Sequence, residues 1–283
     1  MDKDLLGHKP GSQGSIVLSD GNSVEMPLLS YRSSGFAAFF TISAAKARAL
    51  LPTHDLRPVR VSARRALVLV QAMDYTQKNI APYREFIFSI PVHRSRRADV
   101  PVVSPALWER LPGHGAYITH IAVNDESSRR IGREVLGLPK FLAEFDLTTT
   151  ETERVAEVSA DGKPVFTLAV TKRPRTAYRE QRRQFHCYSL SPVENTLFHI
   201  PYDSEATAAI GFGSRSARLH LGSHPVADEL RDLDISPAPL MAMDIPQYTL
   251  VSNRPEAKKD VGDWIDPRGY YRELRAARAE VGD

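Results

Sequence analysis

Arg154-Val155-Ala156-Glu157-Val158-Ser159-Ala160-Asp161-Gly162-Lys163-Pro164-Val165-Phe166-Thr167-Leu168-Ala169-Val170 decides the fold class. Two runs of β-forming residues, 154–158 and 165–170, flank Asp161-Gly162. A two-residue hairpin turn needs φ > 0 at both central positions, which Gly adopts freely and Asp tolerates, so this stretch predicts a β-hairpin. The same signature recurs outward at short intervals. Upstream, strands are expected over 66–73, 85–92, 115–123 and 145–149; downstream, over 184–190, 195–200, 206–210, 217–221 and 248–252.

Helices are sparse. One fits 43–51, with Ser43 as N-cap, Ala44, Ala45 and Ala47 inside, and Pro52 as the stop. A second fits 126–136, started by Asn124 or Asp125 and ended by Gly137 and Pro139. A charged terminal helix is expected over 270–281. Residues before Met26 read as a loose arm or early hairpin turning at Asp20-Gly21-Asn22. Many short strands with two or three small helices predict a mainly β (α+β) fold, an antiparallel β-barrel or sandwich rather than a βαβ array. A single domain over 1–283 is expected, with 1–25 and 255–283 peripheral.

Composition narrows the function. Lys+Arg of 37 against Asp+Glu of 34 leaves +3 on 283 residues, without the concentrated cationic face of a nucleic-acid binder. The densest basic cluster, Arg173, Arg175, Arg179, Arg182 and Arg183, is broken by Glu180 and reads as a solvated loop or subunit contact. The lone Cys187 excludes an internal disulfide and a cysteine-rich metal site. Neither His114/His120 nor His220/His224 forms a convincing metal pair, so no metal is expected. Glycine-rich nucleotide loops and a Gly-x-Ser-x-Gly elbow are absent from the sequence. The longest apolar run, 66–70, is far below the roughly 20 residues of a membrane span, and a cytoplasmic protein without membrane association is expected.

Chemistry is concentrated in Ile131-Gly132-Arg133-Glu134-Val135-Leu136-Gly137-Leu138-Pro139-Lys140-Phe141-Leu142. A helix ends, Pro139 forces an extended turn, and a lone lysine emerges among apolar residues. Such a lysine is either a snorkelling surface side chain or a desolvated nucleophile. Gly132-Arg133-Glu134 through Pro139-Lys140 resembles the imine-forming segment of the acetoacetate decarboxylase superfamily. Three further stretches resemble it in order: Tyr31-Arg32 to Leu51-Pro52; Tyr83-Arg84-Glu85 before Ile90-Pro91-Val92; and 213–233 with Arg218, Leu219, Leu221, His224, Leu230 and Leu233. Together they span about residues 28–252.

The resemblance implies a barrel-like fold and cofactor-free imine catalysis by Lys140 on a small keto acid. Glu85 would handle a proton or orient substrate, and Arg32 would clamp the carboxylate. Tyr83, Phe141, Gln71 and Tyr248 would line the pocket. A homo-oligomer is implied as well. Two departures stand out: Phe141 occupies the place of a second lysine, and Arg32 matches the family arginine only with one residue skipped. Decarboxylation of a β-keto acid is the first expectation. The alternatives are aldolase/dehydratase chemistry on an α-keto acid, or a non-catalytic small-molecule-binding barrel. Imine chemistry makes a physical demand. A free lysine of pKa about 10.4 is neutral in only about one molecule in 2,500 at pH 7, and bringing it to about 7 disfavours the ammonium by about 4.6 kcal/mol. Lys140 is therefore expected to be buried, with desolvation outweighing the roughly 0.3–1 kcal/mol pull of the helix C-terminus at 136–137.

Overall fold

The structure, a computed structural model, describes residues 4–94, 101, 108–191 and 196–260. Seven strands close on themselves. Around the ring they run β6 (Tyr83–His93), β5 (Arg65–Lys78), β3 (Leu28–Ser43), β15 (Met241–Ser252), β13 (Thr196–Phe212), β12 (Arg179–Ser191) and β7 (Gly115–Val123), which pairs again with β6. Neighbours in the ring are antiparallel except β12 and β7, which are parallel. The parallel contact is short. Beyond it, β8 (Lys140–Leu142) takes over the same edge of β7, opposite Ile121, Ala122 and Val123.

A second antiparallel sheet lies against the barrel, in the order β14 (Ala217–Leu221), β11 (Lys163–Thr171), β10 (Glu153–Ala160) and β9 (Glu144–Thr149). Its β10–β11 hairpin turns at Asp161 (φ 51) and Gly162 (φ 69), as the sequence predicts. Short pieces complete the fold: β1 (Ser15–Val17) and β2 (Ser23–Glu25) form the N-terminal hairpin, β4 (Arg57–Pro58) pairs with β6, and β16 (Glu256–Asp260) pairs with β13. Two of the helices are α1 (Ala44–Ala49), capped by Ser43, and α2 (Glu126–Leu136), capped by Asp125.

Strand alternation divides each barrel strand between two cores. On β6, Glu85, Ile87 and Ser89 face the barrel interior, while Phe86, Phe88 and Ile90 face the second sheet. There Phe86 and Phe166 stack, ring centroids 3.5 Å apart. The interior cluster gathers Met73, Tyr75, Ile118 and Ile121 with Ile131 and Val135 of α2, so the helix buries its apolar stripe in the barrel.

Three expectations change. β3 is a 16-residue strand that the pattern of alternation did not show, because both its faces are buried. The strands expected at 195–200 and 206–210 are one, β13; Pro201 is carried inside it opposite His186 without breaking the ladder. A helix absent from the sequence reading, α3 (Pro225–Asp232), starts at His224, whose Nδ1 accepts from the Val226 amide at 3.2 Å. The expected helix over 270–281 lies outside the described residues. No helix among the described residues is long and apolar enough to cross a membrane.

Candidate active site

The barrel interior opens into a cavity of about 440 Å³. Most of its wall is apolar, including Leu69, Met73, Ile87, Ile118 and Ile121. Two amines and a carboxylate converge from three strands, β5, β6 and β8.

Lys140 arrives by way of α2. Asp125 caps the helix by accepting from the Ser128 amide at 2.6 Å, and Gly137 ends it in the left-handed conformation (φ 61). The Leu138 amide then donates to the Gly132 carbonyl at 2.8 Å, folding the chain back along the helix. Arg133 Nε donates to the Lys140 carbonyl at 2.6 Å, which fastens β8 to the helix. Gly132 leaves the passage for the lysine stem: a Cβ there would lie 2.3 Å from Lys140 Cδ and 2.6 Å from Cε.

The amine that results is buried. The Lys140 side chain is 4% exposed, and its Nζ lies 2.8 Å from Glu85 Oε2, itself on a side chain 7% exposed. Nζ donates to Ser128 Oγ at 3.1 Å and sits 4.8 Å from the Tyr83 ring centroid. Tyr75 stands over the other carboxylate oxygen, its hydroxyl 3.5 Å from Glu85 Oε1. Burial, followed by the Glu85 charge, drives the Tyr75 and Tyr83 phenols well above the usual range, so both remain neutral. Burial likewise pushes the Tyr248 hydroxyl up, and it lifts the Cys187 thiol to about 12, with Glu85 adding to the effect. A thiol so held is a poor nucleophile.

A second amine shares the cavity. Lys78 Nζ donates to Tyr83 Oη at 3.0 Å and lies 4.3 and 4.5 Å from the ring centroids of Tyr75 and Tyr83. Burial, then the Lys140 charge, brings its pKa down from 10.5 to about 7, with Glu85 pulling the other way. Lys78 retains some accessible surface because it faces the cavity itself, and the surrounding protein walls are what strip its water.

Of the residues the sequence nominates, Lys140, Glu85, Tyr83, Gln71 and Tyr248 all line the cavity. Two do not. Arg32 is exposed: the β3–β5 ladder shifts register on both sides of it, and the irregularity turns its side chain out to solvent. Phe141 follows Lys140 on β8, so strand alternation sends it to the opposite face. It packs on the core between the sheets, its ring parallel to His224 with centroids 6.3 Å apart. Lys78, Tyr75 and Ser128 went unnoticed in the sequence. The only signal for Tyr75 is its parity with Met73 and Gln71; Lys78 breaks that parity. Arg182 and Arg183, from the basic cluster, stand exposed at the cavity mouth. Among the described residues no group of three or more His, Cys, Asp or Glu is placed to hold a metal ion.

The model of the acetoacetate decarboxylase (ADC) family matches residues 17–251. The chain belongs to the acetoacetate decarboxylase family. Solved structures agree on the fold. An acetoacetate decarboxylase from Legionella pneumophila is 14% identical, with a TM-score of 0.63 over 83% of this chain and 88% of that one. An acetoacetate decarboxylase-like enzyme from Sphingomonas wittichii is 16% identical, with a TM-score of 0.53 over 85% and 97%. MppR, an enduracididine biosynthesis enzyme solved with pyruvate, is 12% identical, with a TM-score of 0.57 over 86% and 95%. No curated protein matches the chain. At such identities these structures share the acetoacetate decarboxylase fold with this chain.

Proposed function

We propose that this member of the family is an imine-forming enzyme acting on a keto acid, with Lys140 as nucleophile and Glu85 as its proton partner. The observation that carries this reading is the 2.8 Å contact between Lys140 Nζ and Glu85 Oε2 inside a largely apolar cavity. Taking both charges out of water is costly, and moving one proton from the ammonium to the carboxylate removes both at once. The free amine then adds to the substrate carbonyl carbon. Glu85, now a carboxylic acid, returns the proton to the departing hydroxyl, which leaves as water and yields the protonated imine.

In a β-keto acid the electrons of the bond to the carboxylate flow into that imine, releasing carbon dioxide and an enamine. Protonation of the enamine carbon and hydrolysis regenerate Lys140. The apolar wall favours the loss of charge when carbon dioxide forms, and the neutral phenols of Tyr75 and Tyr83 supply hydrogen bonds without adding charge. A second reading is favoured by the likeness to MppR, which has also been solved with the condensation product of pyruvate and an aldehyde. In that reading the enamine attacks an aldehyde and water is eliminated.

Reduction with borohydride in the presence of acetoacetate or pyruvate is expected to leave a mass adduct on Lys140, and Lys140→Met to abolish it. Glu85→Gln should slow trapping by about 10²–10⁴-fold, the usual contribution of a positioned acid–base group. An adduct on another lysine, or none, would overturn the assignment. Carbon dioxide release against formation of a dehydrated condensation product separates the two reactions.

A further inference from the structure

We infer that Lys78 is the carboxylate anchor of the cavity, holding the acid group of the keto acid while Lys140 engages its carbonyl. The inference rests on the reading of the substrate as a keto acid and names the group that recognises its charge.

The two amines are differently occupied. Lys140 already faces a carboxylate at 2.8 Å. Lys78 has no carboxylate within ion-pair distance among the described residues: its contacts are one hydroxyl, Tyr83 Oη, and the faces of Tyr75 and Tyr83. An ammonium has three N–H donors, so two remain to be met from the cavity side. Both nitrogens lie over the same Tyr83 ring, at 4.5 and 4.8 Å from its centroid. Each therefore lies close to one ring, which puts the two amines in the same region of the cavity.

The competing cations are poorly placed. Arg32 is outside the barrel. Arg182 and Arg183 stand in solvent at the mouth, and Arg182 lies 3.7 Å from Glu205. Beside Lys78 the titratable groups facing the same space are Tyr75 on its own strand, Tyr83 and Glu85 on β6, His114 ahead of β7, Lys140 on β8, Cys187 on β12, Tyr202 on β13 and Tyr248 on β15. All four phenols and the Cys187 thiol are held neutral by burial, and Glu85 and Lys140 face each other at 2.8 Å, so neither is an unengaged counter-charge for Lys78. An arriving carboxylate therefore supplies the counter-charge that Lys78 lacks, and its binding draws a proton onto that amine where solution pH is near 7.

Butyrate carries the acid group and no carbonyl, so its binding is independent of imine formation. Calorimetry with the full chain is expected to show affinity falling as pH rises from about 6 to about 8.5, with proton uptake on binding. Lys78→Met should weaken binding about tenfold or more and flatten the profile, while Lys78→Arg, which keeps the charge without titrating near neutrality, should retain binding and flatten it. A folded Lys78→Met protein that binds butyrate with the affinity and pH profile of the wild type overturns the proposal, as does a wild type that does not bind butyrate. Failure of borohydride trapping with butyrate binding intact would remove the imine reading and leave the anchor standing.

Discussion

Lys78 and Lys140 are both amines inside one barrel, yet each meets burial differently. Lys140 shares its cavity wall with a carboxylate at 2.8 Å, whereas the nearest polar partner of Lys78 is a phenol. With a pKa moved from 10.5 to about 7, Lys78 binds its proton less tightly in the folded chain than in the unfolded one. Below about pH 7 both states hold the proton and the burial penalty is complete. Between about 7 and 10.5 the unfolded chain holds more, so stability rises with pH. Lys78→Met removes the penalty. Its stability advantage over the wild type is therefore expected to shrink by about 1–2 kcal/mol between about pH 6.5 and 8.5, measured by denaturant titration at each pH. Sequence alone exposed Lys140 because proline, glycine and a helix stop converge on it. It could not expose Lys78, whose inward direction depends on a register irregularity in the neighbouring strand, the same one that turns Arg32 outward.

At the level of elements, the α2–β8 segment is a positioning device for one nitrogen. Its cap, its left-handed stop and the Arg133 tether fix the backbone, and the missing side chain at Gly132 leaves the lysine its channel. Gly132→Ala would be mild on an exposed helix, where alanine is the better helix former by about 1 kcal/mol. Here the added methyl meets Lys140 Cδ and Cε, so the lysine must shift. Imine trapping is expected to fall at least about 100-fold with the helix content of the far-ultraviolet spectrum unchanged, a loss in keeping with the cost of small displacements at a reacting centre. Elements with strong caps or a dense β-branched and aromatic run were legible: α2 matches the expected 126–136, and β7, although buried on both faces, matches 115–123 residue for residue. β3 was not: it too is buried on both faces and so lacks a polar period, and its Ser30, Ser33, Ser34, Gly35, Ala37 and Ala38 carry none of the β-branched signal that marks β7. α3 escaped because its run follows directly on the alternating residues of β14, although His224 and Pro225 are ordinary helix-start residues.

Across the whole molecule, the barrel and the second sheet share one apolar layer in which Phe86, Phe88, Phe166 and Leu168 meet. Neither sheet buries that face without the other, so the described residues are expected to unfold in one transition. Phe166→Ala should lower stability by about 3–5 kcal/mol and shift the calorimetric melt as a single peak. Two resolved peaks, with only one displaced, would contradict this.

The cavity floor and its mouth are furnished by different strands. The reacting groups stand on β5, β6 and β8, wedged between apolar layers, whereas Arg182, Arg183 and Gln184, all exposed, border the entrance from β12 beside the half-buried Gln181. Replacements at the entrance disturb little packing, so evolution or a designer is free to retune which molecules are admitted while the machinery below carries on unaltered.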